Sequence, residues 1–257
     1  MKDKIILFDA DSLIYQAIYK VVSFGEFREM IEQGLTRIQI ESEILHRGFE
    51  RFEKIAFDIF NEIEQEYNIT EVRYFFTTCV NNFRYEFNNE YKANRKGKRN
   101  KYVNMLREHL VLNLDGALAS DVYEADDLIY YNTQILSKDE WIICSIDKDM
   151  RQIAGIHFDY YQQKKYDEDG NEYKVRKGFN YVSELQAENL IFEMLLTGDV
   201  SDNIKGIHGI GKVKANKIIK DKTRFGKLVS VCREWAKHEP ENWKIMLSNN
   251  IKQIVFN

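Results

Sequence analysis

Short apolar segments recur along this sequence, and helical stretches separate them. Residues 5–8 form one such segment, which ends at Asp9, and residues 72–76 and 141–146 repeat the pattern before polar residues. Between the first two segments, apolar residues from position 44 to 63 recur near the helical period. Strands that alternate with helices favour an α/β fold, a mostly parallel sheet flanked by helices. Ligands of such sheets bind beyond the carboxyl ends of the strands, where we expect the functional residues.

The length and composition are those of a globular protein, with 257 residues of which 44% are hydrophobic and 30% charged. After residue 180 the strand pattern gives way to helices, which predicts two domains, residues 1–180 and 181–257. No apolar segment has the length of a signal peptide or a membrane span, so we expect a cytoplasmic protein with no membrane partner. The cysteines, Cys79, Cys144 and Cys232, are widely spaced and are interpreted as reduced thiols.

Carboxylates occur in short clusters at the predicted junctions between strands, helices and loops. They are Asp9 and Asp11, then Glu124, Asp126 and Asp127, then Asp147 and Asp149, and finally Asp199 and Asp202. One cluster alone is typical of the first turn of a helix, where acidic side chains complement the helix dipole. Four clusters favour a metal site, because hard divalent cations such as Mg²⁺ prefer oxygen ligands.

A glycine-rich segment, residues 206–212, follows the last acidic cluster. It carries Gly206, Gly209 and Gly211 and leads into Lys212, Lys214 and Lys217. Glycines allow close approach of the backbone, and successive amide groups at a helix start can bind a phosphate. The net charge of −4 disfavours a nucleic-acid binder, but basic residues crowd positions 92–101 and 205–222. Metal ligands beside a phosphate-binding segment predict a nuclease.

The motifs in combination resemble the bacteriophage 5′-nuclease family. This family includes flap endonucleases, 5′-3′ exonucleases, phage ribonuclease H and the 5′-nuclease domain of bacterial DNA polymerase I. The resemblance rests on residues 9–11, 91–95, 123–127, 145–149, 198–203 and 206–212. It covers the first strand and then residues 72 to about 235 in order, and it leaves out residues 20–68.

This resemblance implies a PIN-like catalytic domain, a C-terminal helix-three-turn-helix module and phosphodiester hydrolysis near the 5′ ends of branched or nicked duplexes. Two Mg²⁺ or Mn²⁺ ions, roughly 3.5–4 Å apart, would activate water and stabilise the departing oxygen, which leaves 5′-phosphates. The ligands carried over from the family are Asp9, Glu124, Asp126, Asp127, Asp147, Asp149, Asp199 and Asp202.

Further residues take roles from the same resemblance. Lys92 and Arg95 are expected to contact the scissile phosphate, and Tyr15 to stack on the base beside the cut. Arg84, Tyr91, the three glycines of residues 206–212 and the lysines that follow them are expected to contact DNA. The family also implies a K⁺ ion in this glycine hairpin.

Two departures from the family pattern affect these expectations. Thr77, Thr78 and Cys79 stand where the family places an aspartate ligand, and Asp11, two positions from Asp9, is a candidate replacement. The resemblance assigns residues 96–123 to the family's helical arch. This segment is shorter than the arch of the flap endonucleases that thread a single-stranded flap. We therefore expect a preference for duplex ends, gaps and nicks over long flaps.

Two other functions stay open beside the metal-dependent 5′ nuclease. Because the family's aspartate is missing, one alternative is a branched-DNA-binding protein that does not cleave. The other is a PIN-type ribonuclease of single-stranded RNA, since these enzymes share the acidic α/β core. A phage-type role in DNA replication or repair is expected, with RNA in RNA–DNA hybrids as a further substrate. The protein is predicted to be a monomer, and a replication protein is a candidate partner of the helix near residues 44–63.

Overall fold

The computed structural model describes residues 2–19, 21–94, 101–160, 164–166, 172–174 and 178–256. The chain divides into two compact units. The first comprises Met1–Cys79, Lys98–Ile146 and His157–Asn180, and the second comprises Val80–Gly97, Asp147–Ile156 and Tyr181–Asn257. One joint lies at the predicted boundary between residues 180 and 181, and the second unit also takes two earlier segments. Within the described ranges, no helix has the length and apolar character needed to cross a membrane.

The described strands before α6 form one main sheet and one hairpin, which belong to the first unit except for residues 155–156 and 181–182. They are β1 (Asp3–Asp9), β2 (Asn68–Thr77), β3 (Ala117–Ser120), β4 (Trp141–Cys144), β5 (Gly155–Asp159), β6 (Lys164–Tyr166), β7 (Glu172–Lys174) and β8 (Gly178–Val182). The sheet order is β3-β2-β1-β4-β5-β8, and β6 pairs with β7 in an antiparallel hairpin. The sequence of residues 165–178 favours a β-hairpin or an exposed loop, because Asp-Gly-Asn at 169–171 is turn-forming, and this turn lies outside the described residues.

The central strands pair in parallel, and their apolar composition is typical of such strands. β1 pairs in parallel with β2 and β4, β2 with β3, and β4 with β5. The side chains of Ile6, Leu7 and Phe8 are all buried, as are those of Ile142 and Ile143 in β4. Strands with both faces covered are continuous apolar runs of this kind. The expected α/β fold class, with a mostly parallel sheet and flanking helices, is confirmed.

The described residues of the first unit form the helices α1 (Asp11–Ile18), α2 (Phe24–Glu32), α3 (Arg37–Glu64), α4 (Lys101–Asn113) and α5 (Ala125–Ile135). Thr36 caps the long helix α3, and its hydroxyl accepts a hydrogen bond from the backbone N–H of Gln39 in a capping box. Its buried residues recur three or four positions apart, which confirms the helix predicted near residues 44–63. The docking role suggested for this region stays a prediction.

The structure corrects the assignment of residues 96–123 to a helical arch. Helix α4 buries Val103, Leu106 and Leu110 and packs against α1 and α3, while β3 is a strand of the main sheet. Residues 101–113 therefore pack into the first unit through these buried side chains. Residues 117–120 form an edge strand of its sheet, in which Leu118 is 40% exposed. Residues 95–100 lie outside the described part of the chain.

The second unit is mainly helical, as predicted for the chain after residue 180. It contains α6 (Glu184–Thr197), the hairpin β9 (Gly198–Asp199) and β10 (Ile204–Lys205), α7 (Lys212–Ile219), α8 (Arg224–His238) and α9 (Trp243–Ile254). Two 3-10 turns, Phe83–Glu86 and Lys148–Gln152, come from earlier segments. Trp235 is buried in the shared core, and its indole nitrogen donates to the Leu195 carbonyl at 2.9 Å. This bond joins α8 to α6.

Candidate functional site

Asp9 lies at the carboxyl end of β1, where the neighbouring strand β4 also ends. Ser145 follows β4 directly, and its hydroxyl donates to Asp9 Oδ2 at 2.7 Å. Ser145 is only 4% exposed, so this bond orients the carboxylate from a buried position. Burial, and secondarily the charge of Asp9, raises the pKa of the Cys144 thiol well above its ordinary value. Sequence reasoning missed Ser145; its place directly after a buried strand was the available signal.

Asp11 begins helix α1, and its carboxylate contacts two other elements of the first unit. One oxygen accepts the Thr77 backbone N–H at 3.0 Å, and the other accepts Arg107 Nε at 3.0 Å. Thr77 in turn accepts the Ala125 backbone N–H on its hydroxyl oxygen, also at 3.0 Å. Both Asp11 oxygens have protein donors and an ion-pair partner. These contacts favour a role of Asp11 as an anchor between α1, β2 and α4, and its role as a replacement metal ligand stays a prediction.

Replacing Asp11 by asparagine is expected to destabilise the fold without changing metal binding. The substitution leaves the mostly buried Arg107 guanidinium without its anion, which we expect to lower the free energy of unfolding by about 1–3 kcal/mol. Urea denaturation in a chelating buffer measures the loss, and Mn²⁺ calorimetry checks the affinity. Weaker Mn²⁺ binding at unchanged stability would restore Asp11 as a ligand.

The acidic cluster at residues 124–127 forms the start of α5. Asp127 is buried and accepts the Glu124 backbone N–H at 3.2 Å, while Asp126 accepts the Asp127 backbone N–H at 2.8 Å. These bonds satisfy amide groups that a helix start leaves without intrahelical partners. The helix-capping interpretation of this cluster is thus correct for Asp127. It does not exclude metal binding, because a carboxylate has further lone pairs.

A second group of carboxylates lies in the second unit, where the 3-10 turn after Asp147 packs against α6. Asp147 accepts the Asp149 backbone N–H at 2.9 Å, and Asp199 accepts the Ser201 backbone N–H at 2.7 Å. The Lys148 ammonium is 3.4 Å from Asp199 Oδ2 and 3.6 Å from Asp149 Oδ1. Asp147, Asp149 and Asp199 therefore form a compact acidic group with one ammonium beside it.

Asp149 is the most perturbed carboxylate of this group. Burial, followed by the charges of Asp147 and Asp199, raises the pKa of Asp149 to about 7. Its Oδ1 is buried and accepts no hydrogen bond from any described residue. A buried oxygen without a donor beside two further carboxylates fits the ligand chemistry of a hard divalent cation. As placed, no three or more acidic, histidine or cysteine side chains among the described residues could hold a metal ion together.

Asp202 holds the segment that carries Lys92. The Tyr91 hydroxyl donates to Asp202 Oδ2 at 2.9 Å, and the Lys92 ammonium is 3.6 Å from the same oxygen. The Lys92 backbone N–H also donates to the Asp202 carbonyl at 2.9 Å. Lys92 has a φ of 54°, a left-handed conformation that is strained for a residue other than glycine. These contacts fix Lys92 in place, whereas Arg95 lies outside the described residues.

Two residues expected at a DNA surface are buried instead. Arg84 is 1% exposed, and its guanidinium donates to the Gln253 carbonyl at 3.0 Å and lies over the Phe83 ring. Tyr91 is 3% exposed and belongs to the core of the second unit. The structure therefore corrects Arg84 and Tyr91 from DNA contacts to internal residues that position their neighbours. Tyr15 keeps the exposure that base stacking requires, because 51% of its surface is accessible on α1.

The glycine hairpin has an anchored side and an open side. Ile207 and Ile210 are buried in the core of the second unit, while His208 and Gly209 between them are exposed. Gly209 has a φ of 75°, and a Cβ there would meet no described atom within 4 Å. Gly211 is the N-cap of α7, equally open, and the three lysines that follow on α7, Lys212, Lys214 and Lys217, are exposed. The hairpin thus presents backbone and positive charge to solvent.

Gly206 differs from the other two glycines because its surroundings are backbone atoms. A Cβ on Gly206 would lie 2.0 Å from the Thr197 carbonyl carbon and 2.5 Å from the Gly198 nitrogen. Gly206 is therefore expected to pack between β10 and the end of α6 and not to contact DNA directly.

We expect Gly206→Ala to lower the free energy of unfolding by about 1–3 kcal/mol, and Gly211→Ala by less than about 1 kcal/mol, both measured by urea denaturation. Equal losses would contradict this difference.

Comparison with known proteins places the chain in a family. Residues 4–180 match the family described as 5′-3′ exonuclease, N-terminal resolvase-like domain. DNA polymerase I of Bacillus caldotenax is 27% identical over 239 residues, which cover 90% of this chain and 24% of the polymerase. The chain therefore spans about a quarter of the length of that curated relative.

Solved structures from bacteriophage T5 share the fold. A flap endonuclease in a pseudo-enzyme–product complex with DNA and metal ions has a TM-score of 0.58 and 17% identity, covering 98% of this chain and 88% of that one. A 5′-exonuclease with divalent zinc ions bound has a TM-score of 0.54 and 18% identity, covering 99% and 87%. The family match spans more than half of the chain, so this protein belongs to the 5′-3′ exonuclease family through its N-terminal resolvase-like domain.

Proposed function

We propose that this chain is a divalent-metal-dependent 5′ nuclease that hydrolyses phosphodiesters near the 5′ ends of duplex, nicked, gapped or flapped DNA. The observation that carries the proposal is the acidic group of the second unit, in which Asp149 has a buried oxygen without a hydrogen bond beside Asp147 and Asp199. Membership of the 5′-3′ exonuclease family supports the reaction, and the metal ions bound to the T5 relatives support the cofactor.

The carboxylates of each unit have the chemistry to bind metal. In the first unit Asp9, Glu124, Asp126 and Asp127 are the proposed ligands, and in the second unit Asp147, Asp149, Asp199 and Asp202. Two bound Mg²⁺ or Mn²⁺ ions would supply Lewis-acid stabilisation and an activated water, which leaves a 5′-phosphate on the product. Ser145 orients Asp9, and the Asp147 and Ser201 contacts orient the second group.

The basic groups of the second unit have the chemistry to bind DNA. Lys92, and Arg95 by the resemblance, would stabilise charge on the scissile phosphate. The open amides near Gly209 and Gly211 and the lysines of α7 would hold a duplex phosphate further along the strand. By the same resemblance, the hairpin carbonyls would hold K⁺, and Tyr15 would stack on the base beside the cut.

Removing the Ser145 hydroxyl is expected to weaken metal binding to Asp9. Ser145→Ala deletes the donor that fixes the carboxylate, and loss of such an outer partner lowers metal affinity or activity by about 10–100-fold. Calorimetry with Mn²⁺ and the Mn²⁺ dependence of cleavage measure the effect, and Ser145→Thr is the matched control that keeps a hydroxyl. An affinity of Ser145→Ala equal to that of the unchanged protein would remove Ser145 from the site.

The proposal is tested by cleavage of nicked, gapped and flapped duplexes labelled at the 5′ or 3′ end, in Mg²⁺ or Mn²⁺. Products that begin at 5′ ends and need the metal support the nuclease. Tight duplex binding without cleavage in either metal would favour the branched-DNA-binding protein, and preferential cleavage of single-stranded RNA would favour the ribonuclease. An RNA–DNA hybrid tests whether RNA is accepted.

A long 5′ flap with and without a bulky group tests whether the protein threads a single strand. Helix α4 and strand β3 occupy most of residues 96–123, which leaves few residues to enclose a threaded single strand. We propose a preference for ends, gaps and nicks, so a bulky group on a long 5′ flap should have little effect on cleavage. Strong inhibition by that group would show threading instead.

Sedimentation of the free protein checks the proposed monomer.

A further inference from the structure

Lys148 occupies an unusual position for an exposed lysine. Its ammonium is 3.4 Å from Asp199 Oδ2 and 3.6 Å from Asp149 Oδ1, so one cation faces two carboxylates. The Lys148 side chain is 61% exposed, whereas the side chains of Asp199 and Asp149 are 4% and 17% exposed. A cation held from the solvent side is thus the counter-ion of two largely buried anions.

The two oxygens of Asp199 have different donors. Ser201 donates its backbone N–H and its hydroxyl to Oδ1, whereas the Lys148 ammonium donates to Oδ2. Charge-assisted N–H to carboxylate bonds are about 2.7–2.9 Å long, so the Lys148 contacts are loose. Mg²⁺ and Ca²⁺ approach carboxylate oxygens to about 2.0–2.6 Å and carry twice the charge. A divalent cation would therefore compete with the ammonium for the same oxygens.

We propose that Lys148 is a positioning residue whose ammonium keeps Asp149 and Asp199 together in the metal-free protein and has to be displaced when a divalent cation binds them. Lys148 consequently weakens metal binding while it stabilises the metal-free fold. Displacement needs only rotation of a flexible, exposed side chain into water. The proposal rests on the proposed function, because it assumes that these carboxylates bind the metal.

Calorimetric titration of the full chain with Mn²⁺, without DNA and above the raised pKa of Asp149, tests the displacement. Lys148→Met, which keeps the chain length and removes the charge, is expected to bind Mn²⁺ about tenfold more tightly. Lys148→Arg keeps the charge and is expected to bind as the unchanged protein does. Lys54→Met, at an exposed position of α3, is the matched control for loss of one positive charge. Equal or weaker binding by Lys148→Met would overturn the proposal.

Two further measurements separate this proposal from the proposed function. The unfolding temperature of metal-free Lys148→Met should fall, and its rise on adding Mn²⁺ should exceed that of the unchanged protein. Asp149→Asn combined with Asp199→Asn should lose the corresponding Mn²⁺ site. If this double variant loses the site but Lys148→Met binds no more tightly, only the role of Lys148 fails. If the double variant keeps all Mn²⁺ binding, the proposed metal site fails as well.

Discussion

Replacing Asp147 and Asp149 together by asparagine is expected to lower the rate of DNA cleavage by at least about 1000-fold. A catalytic metal supplies several kcal/mol of transition-state stabilisation, and each 1.36 kcal/mol is a factor of ten in rate. Asparagine keeps the size of both side chains but removes the two charges on which a divalent cation depends. Single-turnover cleavage of a nicked duplex in Mg²⁺ and Mn²⁺ measures the loss.

Stability and DNA binding distinguish lost chemistry from a lost fold in this double variant. Relief of charge crowding around Asp149, whose pKa burial and its neighbours raise to about 7, should leave the metal-free protein folded. DNA affinity in a chelating buffer should therefore be unchanged or stronger. Asp58→Asn, an exposed position on α3, is the control for loss of one carboxylate. A double variant that is folded and cleaves within tenfold of the unchanged protein would remove these residues from the metal site.

Lys92→Met is expected to lower the cleavage rate by about 100-fold. The ammonium is proposed to stabilise charge on the scissile phosphate, and one positioned donor of this kind contributes about 10²–10³ in rate. Lys92→Arg retains the charge and should recover part of the loss. The strained backbone at Lys92 and its two contacts with Asp202 are consistent with a fixed functional geometry.

The neighbouring basic run offers a matched control for Lys92. Lys101 is exposed at the start of α4 and pairs with Glu41, so Lys101→Met removes a lysine of the same run in the first unit. We expect a small effect of Lys101→Met, mainly on DNA affinity at low salt. The Lys92 variant should lose rate at saturating DNA while its affinity in a chelating buffer changes little. Equal effects of the two substitutions would reduce Lys92 to a contributor of general positive charge.

Local pattern was sufficient for the elements with a continuous apolar run or a clear apolar period. The strands predicted at residues 5–8, 72–76 and 141–146 are confirmed as β1, β2 and β4, and the helix at 44–63 is confirmed as part of α3. Apolar runs and periods indicate which side chains are buried, and burial of these side chains stabilises the sheet. Helix α4 was assigned to an arch by the family resemblance, although its apolar residues at positions 103, 106 and 110 follow the helical period. Only packing on α1 and α3 shows that they are core residues.

The charged residues were predicted less well than the apolar ones. Arg84 was expected to contact DNA, yet its guanidinium is buried against Phe83 and the Gln253 carbonyl. Asp11 was considered only as a metal ligand, and the structure adds hydrogen bonds from Thr77 and Arg107 to its two oxygens. A sequence reports the charge of a side chain but not its partners. The hydrogen-bond partners of Asp11 and Arg84 lie 66, 96 and 169 positions away along the chain.

The sequence by itself determined the fold class, the carboxylate clusters and the open glycine hairpin before α7, because each depends on residue type and spacing within a short segment. Only the tertiary structure decided which of these residues are held for function and which serve the core. It revealed Ser145 as the donor to Asp9, separated Gly206 from Gly209 and Gly211, and placed Lys148 between Asp149 and Asp199. The physical reason is that hydrogen bonds and ion pairs depend on distances of a few ångströms, which folding sets between residues far apart in the chain.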